Sequence, residues 1–339
     1  MSSLSLPFFS DCSNGASEAI VFLAPMAGIT DAPFRELVSS FGATAVVSEM
    51  VSSEALVRNS KKTYKRLENS SKNVLKIVQI MGANPKSMAE SAIINEQLGA
   101  DIIDINMGCP ARKVVSNDCG SALMKDEELA VEIAKTVVKS VKIPVTVKMR
   151  LGWDSDHLNC FNLAKKFEEI GVQMLAIHCR TRSQMYTGKA NWSAIERLKE
   201  IVKIPYLCNG DIRSAEDAVL ALNQSKANGV MIGRGTLGRP WFLKQVMEYL
   251  QNRTIQTKTP PLEKQYQIIM HHFQNTLDFY GEYHGLRVFR KHFCWYSSGL
   301  NGASAFRESI NKAENVELIR QLVLEFYEKS SLIASKETT

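Results

Sequence analysis

Short apolar runs alternate with longer amphipathic stretches along most of this chain. The runs of strand length are Ile20–Pro25, Ala43–Glu49, Leu75–Ile80, Asp101–Asn106, Val145–Met149, Met174–His178, Pro205–Cys208 and Gly229–Ile232. The stretches between them place apolar residues at helical spacing, as in Ser87–Leu98, Leu129–Val141 and Leu158–Ile170. Strands that are apolar on both faces and alternate with helices predict a parallel sheet covered by helices on each side.

Eight strand–helix units favour a closed (β/α)8 TIM barrel, an α/β fold that typically takes about 250 residues. An open, doubly wound sheet is the structural alternative. Asn84-Pro85 and Ser214 are predicted helix starts, because each places a capping side chain before a helical pattern. We assign residues 19–250 to the barrel. Residues 1–18, rich in serine and small polar groups, are expected to form a loose leader.

The pattern changes after Trp241. Asn252–Pro261 contains three threonines and ends in a proline pair, which is typical of a linker. Beyond it, Leu262–Tyr280, Leu286–Ser297 and Glu314–Glu328 have helical patterns, and no run with a strand pattern follows. The sequence therefore predicts a small all-helical C-terminal domain over residues 262–332.

The composition indicates the general class of protein and the cellular compartment. A hydrophobic share of 45% with 22% charged residues in 339 is typical of a soluble globular protein, and a net charge of +6 permits a polyanionic partner. Seven cysteines without framework spacing indicate a reducing compartment. The first residues lack a signal peptide pattern, and no apolar run approaches the ~18 residues of a membrane helix. We expect a cytosolic protein with no membrane partner.

Polar side chains and glycines follow the apolar part of nearly every predicted strand. In a barrel of this type the carboxyl ends of the strands form the face that carries the active site. The residues concerned are Pro25, Met26, Ala27, Gln79, Asn106, Lys148, Arg150, His178, Asn209, Gly210, Asp211, Gly233 and Arg234. Each alone has an ordinary explanation, such as a turn glycine or a lysine at the rim. Their joint occurrence predicts a ligand site.

The last two of these turns, Asn209-Gly210-Asp211 and Gly233-Arg234-Gly235, follow the seventh and eighth strands. This is the usual phosphate position in such barrels, and an arginine there offers donors matched to phosphate. A phosphate at this place with a planar body over Lys148, Gln79 and the Pro25–Ala27 backbone describes FMN. The pattern supports a phosphate ligand more directly than it supports a flavin.

The fourth strand runs into Gly108-Cys109-Pro110, so a thiol follows the end of a strand on a stiff turn. A lone cysteine is most often simply packed in the interior. Here the neighbouring polar strand ends make Cys109 a candidate catalytic group. An ordinary thiol, with a pKa of about 8.5, is mostly protonated at neutral pH and can serve as an acid. Cys119 has no such context, and we interpret it as structural.

Several segments, in this order, resemble the tRNA-dihydrouridine synthase family. They are Ala24–Asp31, Asn106–Pro110, Val147–Arg150, His178–Thr181, Asn209–Asp211 and Gly233–Gly235. Ala111–Val114 and Gly120–Met124 resemble most the bacterial B-type branch. Arg287–His292 and Trp295-Tyr296 are similar to the RNA-binding helices of the family. The resemblance spans nearly the whole chain.

The resemblance implies an FMN-dependent enzyme that reduces particular uridines in tRNA to 5,6-dihydrouridine, with NADPH as the reductant. Cys109 would protonate C5 of the uracil while the flavin gives a hydride to C6. Asn106 would hold the target base, and Arg150 would assist with uracil or backbone contacts. The flavin would be held by Pro25, Met26, Ala27, Gln79, Lys148, His178, Asn209, Gly210, Asp211, Gly233 and Arg234.

Two basic stretches without acidic residues fit a tRNA partner. The first contains Arg58, Lys61, Lys62, Lys65 and Arg66. In the second, Arg287, Arg290 and Lys291 have the spacing of one helix face. A basic stretch is usually only a solvated surface, but beside a uridine site these predict phosphate contacts. We expect a monomer, because the tRNA would cover much of the basic face.

Two other functions remain open. One is an FMN barrel oxidoreductase acting on a small molecule, which would share the flavin residues but would not need the basic helical tail. The other is a protein that binds FMN or RNA without turnover. The presence of both Cys109 and Lys148 argues against the second.

Overall fold

The computed structural model describes residues 20–43, 45–57 and 75–337. Its sheet consists of parallel strands. The strands are β1 Ile20–Leu23, β2 Ala45–Val47, β3 Val51–Ser52, β4 Leu75–Met81, β5 Ile102–Met107, β6 Val145–Arg150, β7 Met174–His178, β8 Tyr206–Asn209 and β9 Gly229–Ile232. Because β1 pairs with both β2 and β9, and β2 pairs with β4, the sheet closes into a barrel. The two-residue β3 extends the pairing with β4, so the ring itself has eight strands. The predicted TIM barrel is confirmed, and the open sheet is excluded.

Helices separate the strands and cover the outside of the barrel. They are α1 Ala32–Ser40, α2 Ser53–Val57, α3 Pro85–Gln97, α4 Arg112–Val115, α5 Glu127–Ser140, α6 Cys160–Glu169, α7 Leu198–Ile201, α8 Ala215–Ser225 and α9 Phe242–Asn252. Both predicted caps are confirmed. The Asn84 side chain accepts the Ser87 N–H at 3.0 Å, and Ser214 forms a capping box with Asp217.

Side chains that point into the barrel change from apolar to polar along the strands. The lower part is filled by apolar residues, among them Phe22, Ile77, Ile102, Met174 and Leu207. The strand register then brings polar residues into successive layers above them. In the first layer Gln79 lies beside Asp104, and Asp104 beside Thr146. The second contains Asn106 beside Lys148, and still higher lie Arg150, His178 and Asn209. The apolar layers close the bottom, so a ligand site can lie only at the carboxyl ends.

The C-terminal helices are α10 Leu262–Tyr280, α11 Glu282–Tyr296, α12 Ala303–Lys312 and α13 Val316–Glu337. They share an aromatic core that includes Phe273, Phe289 and Phe293. Helix α10 has the predicted bounds, and α12 was not predicted. Its sequence is short and largely polar, with only Ala303, Phe306 and Ile310 buried.

The chain divides into two compact units. The first runs through Gly235 and includes Leu243–Ile255, and the second contains Thr236–Phe242 and the chain from Gln256 onward. Gly238 shows why the short segment belongs to the second unit. A Cβ at this position would lie 2.5 Å from the carbonyl oxygen of Trp295, so its backbone lies directly against α11.

Two predictions from the sequence concern residues outside the described part of the chain. They are the leader at residues 1–18 and the basic stretch from Arg58 to Arg66, which lies between α2 and β4 in the sequence. In the described residues, no helix combines the length and the apolar character that crossing a bilayer requires.

Candidate active site

A cavity of about 480 Å³ lies at the carboxyl ends of the barrel strands. Every residue of the barrel that the sequence analysis assigned to a ligand site contributes to its lining. These residues are Pro25, Met26, Ala27, Gln79, Asn106, Cys109, Lys148, Arg150, His178, Asn209, Gly210, Asp211, Gly233 and Arg234. Because they come from seven different strand ends, their meeting in one cavity follows from closure of the barrel.

Cys109 is half-buried in this cavity, on a turn whose backbone is held from several sides. Its N–H donates to Asn106 Oδ1 at 3.0 Å, and its carbonyl accepts from the Ser121 hydroxyl at 2.9 Å. Gly120, at φ +61°, packs behind it, and a Cβ there would lie 2.9 Å from the Cys109 carbonyl oxygen. The thiol therefore projects from a backbone with little freedom to move.

Asn106 shapes this turn. Its Oδ1 accepts the N–H groups of Gly108 and Cys109 at 3.1 and 3.0 Å, and its Nδ2 donates to Gln79 Oε1 at 2.7 Å. Gly108 has no positive φ, so the bend depends on this side chain and not on a left-handed glycine. Both ends of the Asn106 amide are thus in use within the protein.

Arg150 is 1% exposed and holds the same turn from the other side. Its Nε donates to the Gly108 carbonyl at 2.7 Å, and Nη1 donates to the carbonyls of Thr181 and Met185 at 2.8 and 2.9 Å. The guanidinium therefore joins the cysteine turn to the loop that follows β7. Burial lowers the pKa of Arg150 to about 10, which still leaves it charged at neutral pH.

Lys148 brings an amino group into the floor of the cavity. Its Nζ donates to Asn209 Oδ1 at 3.0 Å, and Asn209 Nδ2 donates to the Met231 carbonyl at 2.7 Å, which fixes the orientation of the amide. Burial lowers the pKa of Lys148 to about 8, and the charge of Arg150 acts in the same direction while Asp104 opposes it. At neutral pH the group is still mostly cationic and can stabilise negative charge in a ligand.

His178 is a neutral imidazole. Burial lowers its pKa well below the usual range, and the nearby cations Lys148, Arg150, Arg180 and Arg234 lower it further. Arg180 Nη1 lies 3.5 Å from Nε2. Because a guanidinium only donates, Nε2 accepts and the proton is on Nδ1. Gly210, at φ +121°, lies against this ring, since a Cβ there would be 2.9 Å from His178 Cδ2.

Asp211 connects two arginines at the edge of the cavity. Oδ2 accepts from Arg180 and Oδ1 accepts from Arg234 Nη2 at 2.9 Å. Burial alone would raise the pKa of Asp211, but the hydrogen bond and charge of Arg180, together with Arg234, hold it below its ordinary value. The Arg234 side chain remains 41% exposed, so it is oriented by Asp211 and still open to an anion.

Sequence reasoning did not identify several residues of the cavity wall. Met50 follows the second strand, while Met185 and Tyr186 come from the loop after β7. Tyr186 is 53% exposed, and the guanidinium carbons of Arg150 and Arg234 lie 5.6 and 5.1 Å from its ring centroid. The only signal for it was the Arg182–Tyr186 stretch, where a long loop follows a strand end.

The three basic residues predicted on α11 differ in their surroundings. Arg287 is exposed and contacts Tyr283 through its guanidinium. Arg290 is half-buried, and its Nη2 donates to the Ala313 carbonyl at 2.8 Å, just after α12 ends. Lys291 is also half-buried. Of the three, Arg287 presents its charge most openly.

Comparison with known proteins identifies the family of the chain. Residues 22–330 match the family described as dihydrouridine synthase (Dus). A "Probable tRNA-dihydrouridine synthase" of Rickettsia bellii is 46% identical over 308 residues, 91% of this chain and 94% of the relative. A "tRNA-dihydrouridine synthase B" of Pasteurella multocida is 45% identical over 291 residues, 86% of this chain and 87% of the relative.

Among solved structures, histamine dehydrogenase from Rhizobium sp. 4-9 aligns with a TM-score of 0.53 at 12% sequence identity. The alignment covers 92% of this chain and 62% of that one. At this identity the likeness concerns the fold alone, and it agrees with the barrel. The family match over nearly the whole chain and the B-type relatives confirm the resemblance predicted from the motifs: this chain belongs to the dihydrouridine synthase family.

Proposed function

We propose that this protein is a tRNA-dihydrouridine synthase, which reduces uridine in tRNA to 5,6-dihydrouridine. The observation that carries the proposal is the half-exposed Cys109 thiol on its tightly held turn, in the same cavity as the cationic Lys148. Reduction of a uracil double bond needs a hydride donor and a proton donor, and a thiol acid beside a fixed positive charge suits the proton transfer. The names of the B-type relatives support the substrate.

The residues of the cavity fit FMN. Arg234 is oriented by Asp211 yet open to an anion, and it follows β9 at the position where such barrels bind phosphate. Lys148 and the neutral His178 suit the polar edge of a flavin ring, and the missing Cβ at Gly210 leaves room beside His178. The backbone of Pro25, Met26 and Ala27, with Gln79, Asn209 and Gly233, would complete the binding site.

The protein's own residues would then carry the following roles. Cys109 gives a proton to C5 of the uracil, and its fixed backbone keeps the sulfur at one place during the transfer. Lys148 stabilises the negative charge that collects near it during reduction. When bound, FMN supplies the hydride for C6, and NADPH is the reductant that restores it. Arg150 keeps the cysteine turn and the Tyr186 loop in register.

A second set of groups on the barrel fits the tRNA backbone. Trp153 lies in the loop after β6, and the Lys125 amino group and the Arg182 guanidinium lie 4.0 and 4.4 Å from its ring centroid. Arg182 N–H donates to the Gly152 carbonyl at 3.0 Å, so two strand-end loops are joined here. A uridine must leave its stack to reach the cavity, and cations at the rim would hold its flanking phosphates.

On the helical unit, Arg287 is the residue whose exposure best fits a phosphate contact, with Arg290 and Lys291 beside it. Asn106 would contact the base only by exchanging one of its present partners.

The test uses purified protein, unmodified tRNA and NADPH, followed by mass spectrometry of the digested nucleosides. A gain of two hydrogens on a uridine, lost in Cys109→Ala while FMN stays bound, is the expected result. If NADPH reduces the bound flavin but no uridine gains mass, the protein is instead a flavin oxidoreductase for a small molecule. Flavin binding without any reduction by NADPH would favour the non-catalytic binding protein.

The protein is further proposed to be cytosolic and monomeric, in keeping with a tRNA substrate that covers its basic face. Sedimentation velocity without tRNA tests this, and a stable dimer would contradict it.

A further inference from the structure

A buried carboxylate lies below the cavity without lining it. Asp104, on β5, is 3% exposed and points into the barrel. Its Oδ1 accepts from the Thr146 hydroxyl and its Oδ2 from Gln79 Nε2, both at 2.6 Å. A buried carboxylate is costly, and proteins keep one only where its hydrogen bonds and neighbouring charges compensate.

From Asp104 a chain of hydrogen bonds leads to the cysteine turn. Gln79 donates to Asp104, Asn106 Nδ2 donates to Gln79 Oε1 at 2.7 Å, and the N–H groups of Gly108 and Cys109 donate to Asn106 Oδ1. Each link is short and comes from an inward position on β4 or β5 or from the turn itself. The buried carboxylate is thus two side chains away from the cysteine backbone.

Which atoms donate and which accept along this series of hydrogen bonds depends on Asp104, where the series ends. A side-chain amide can turn over and exchange its donor and acceptor ends, but a carboxyl oxygen without a proton can only accept. Burial raises the pKa of Asp104, while the hydrogen bonds from Thr146 and Gln79 and the charge of Lys148 oppose this shift. Its Oδ2 accepts from Gln79, which holds the Gln79 amino group toward Asp104 and leaves Oε1 for Asn106. Asn106 must in turn direct its own amino group to Gln79 and its oxygen to the turn. Without an acceptor at position 104, both amides could turn over, and the Gly108 and Cys109 N–H groups would lose their acceptor.

We propose that Asp104 is a positioning residue for the reaction: through Gln79 and Asn106 it fixes the turn that presents Cys109. The inference rests on the proposed function for its kinetic readout, although the placement of the thiol can be measured without it. A competing role for Asp104 is purely electrostatic, because its charge favours the cationic form of Lys148. A third is a general contribution to folding.

Three variants separate these roles. Asp104→Asn removes the charge but can still offer an oxygen to Gln79, while Asp104→Leu removes the acceptor and the charge together. Thr146→Val is the matched control, because it removes the other hydrogen bond to the same carboxylate and leaves the chain to Cys109 in place. Gln79→Met serves if Asp104→Leu fails to fold, since it nearly keeps the size of the side chain but cannot donate to Asp104. Because Gln79 is also assigned to the flavin, this variant is judged by the alkylation rate of Cys109 alone, which should change as in Asp104→Leu.

Two readouts are needed. One is the kcat and KM for uridine reduction in tRNA by the FMN-loaded protein. The other is the rate at which iodoacetamide alkylates Cys109, followed on its tryptic peptide, which requires no tRNA. A displacement of the reacting group by about 1 Å can cost about 100-fold in rate. We therefore expect Asp104→Leu to lower kcat by about 10-fold to 100-fold with an unchanged KM.

The alkylation rate of Cys109 should change in Asp104→Leu as well, whereas Asp104→Asn and Thr146→Val should stay close to the wild type in both readouts. Equal losses in Asp104→Asn and Asp104→Leu would overturn positioning in favour of the electrostatic role. An unchanged kcat and alkylation rate in Asp104→Leu would overturn it outright. If the wild type reduces no uridine, the proposed function fails, and the alkylation rates still decide whether Asp104 places the thiol.

Discussion

The amino group of Lys148 donates a hydrogen bond of 3.0 Å to the side-chain oxygen of Asn209, across two strands of the barrel interior. This bond does not offset the cost of burial, which lowers the pKa of Lys148 from 10.5 to about 8. Below pH 8 the Lys148 amino group is charged in the folded protein, but it holds its proton more weakly there than in the unfolded chain. The buried charge of Lys148 therefore lowers the free energy of unfolding, and we attribute its presence in the cavity floor to ligand binding.

Lys148→Met should for this reason stabilise the flavin-free protein at pH 7, by about 1–3 kcal/mol, while reduction of uridine is lost. The unfolded chain binds the proton more tightly between pH 8 and 10.5, so wild-type stability recovers in that window and the difference should shrink. Urea unfolding at pH 7 and pH 10 measures this, with the exposed Lys139→Met as control. A variant less stable than the wild type at pH 7 would contradict it.

Arg287 and Arg290 are three residues apart on α11 but should respond differently to truncation. Arg290→Ala removes the donor to the Ala313 carbonyl, and loss of such a charged hydrogen bond costs about 1.5–3 kcal/mol. Thermal unfolding should detect it. Arg287→Ala should leave the unfolding temperature unchanged and weaken tRNA binding. The opposite assignment of the two effects would show that Arg287 does not contact RNA.

The rim cations Lys125 and Arg182 should contribute to tRNA binding through phosphates. For each contact removed, the slope of log K against log salt should fall by about 0.7–0.9. Lys125→Ala and Arg182→Gln test this in filter binding at several salt concentrations. Lys139→Ala, on the outer helix α5, is the matched control and should keep the wild-type slope. Slopes unchanged in both rim variants would exclude the rim from the RNA interface.

Acid should destabilise the helical unit through its buried histidines. Burial lowers the pKa of His272 to about 3 and that of His292 well below its usual range. Their rings lie 4.7 Å apart, so neither accepts a proton easily in the fold. The unfolded chain protonates near pH 6.5, so stability should fall below that pH, by up to about 1.4 kcal/mol per pH unit for each histidine.

Helical circular dichroism during urea unfolding between pH 7.5 and 5 checks this expectation. His272→Phe and His292→Phe should each reduce the dependence on pH. The exposed His271→Phe, one residue away from His272, should not. An identical pH dependence in all three variants would place the acid sensitivity elsewhere.

The sequence was informative where a residue's role follows from its place along its own strand. Alternation alone places Lys148 and Arg150 on one face of β6, and the strand ends collect the cavity lining, because closure of a parallel barrel leaves no other arrangement. The strand ends predicted a phosphate ligand and, less directly, FMN, whereas only the resemblance to the family predicted uridine as the substrate.

What the sequence could not supply depends on neighbouring strands. Gln79 meets Asp104 only because the register aligns them, and a single sequence carries no register. Arg150 lines the cavity, as its spacing predicted, but its hydrogen bonds to the carbonyls of Gly108, Thr181 and Met185 depend on loops that a single sequence does not place. Helix α12 was missed because its apolar positions are too few to give a helical pattern.

The position of Cys109 depends on Gly120, a residue eleven positions later in the chain that does not line the cavity. A methyl group at this position would meet Val114, and the Cys109 backbone and Cβ, at 3.2 Å or less, and the positive φ adds to the conflict. A substitution at position 120 is therefore expected to inactivate the enzyme even when every residue that lines the cavity is unchanged. In a genome survey, a chain that keeps Cys109 but has lost Gly120 should be regarded as a candidate pseudoenzyme.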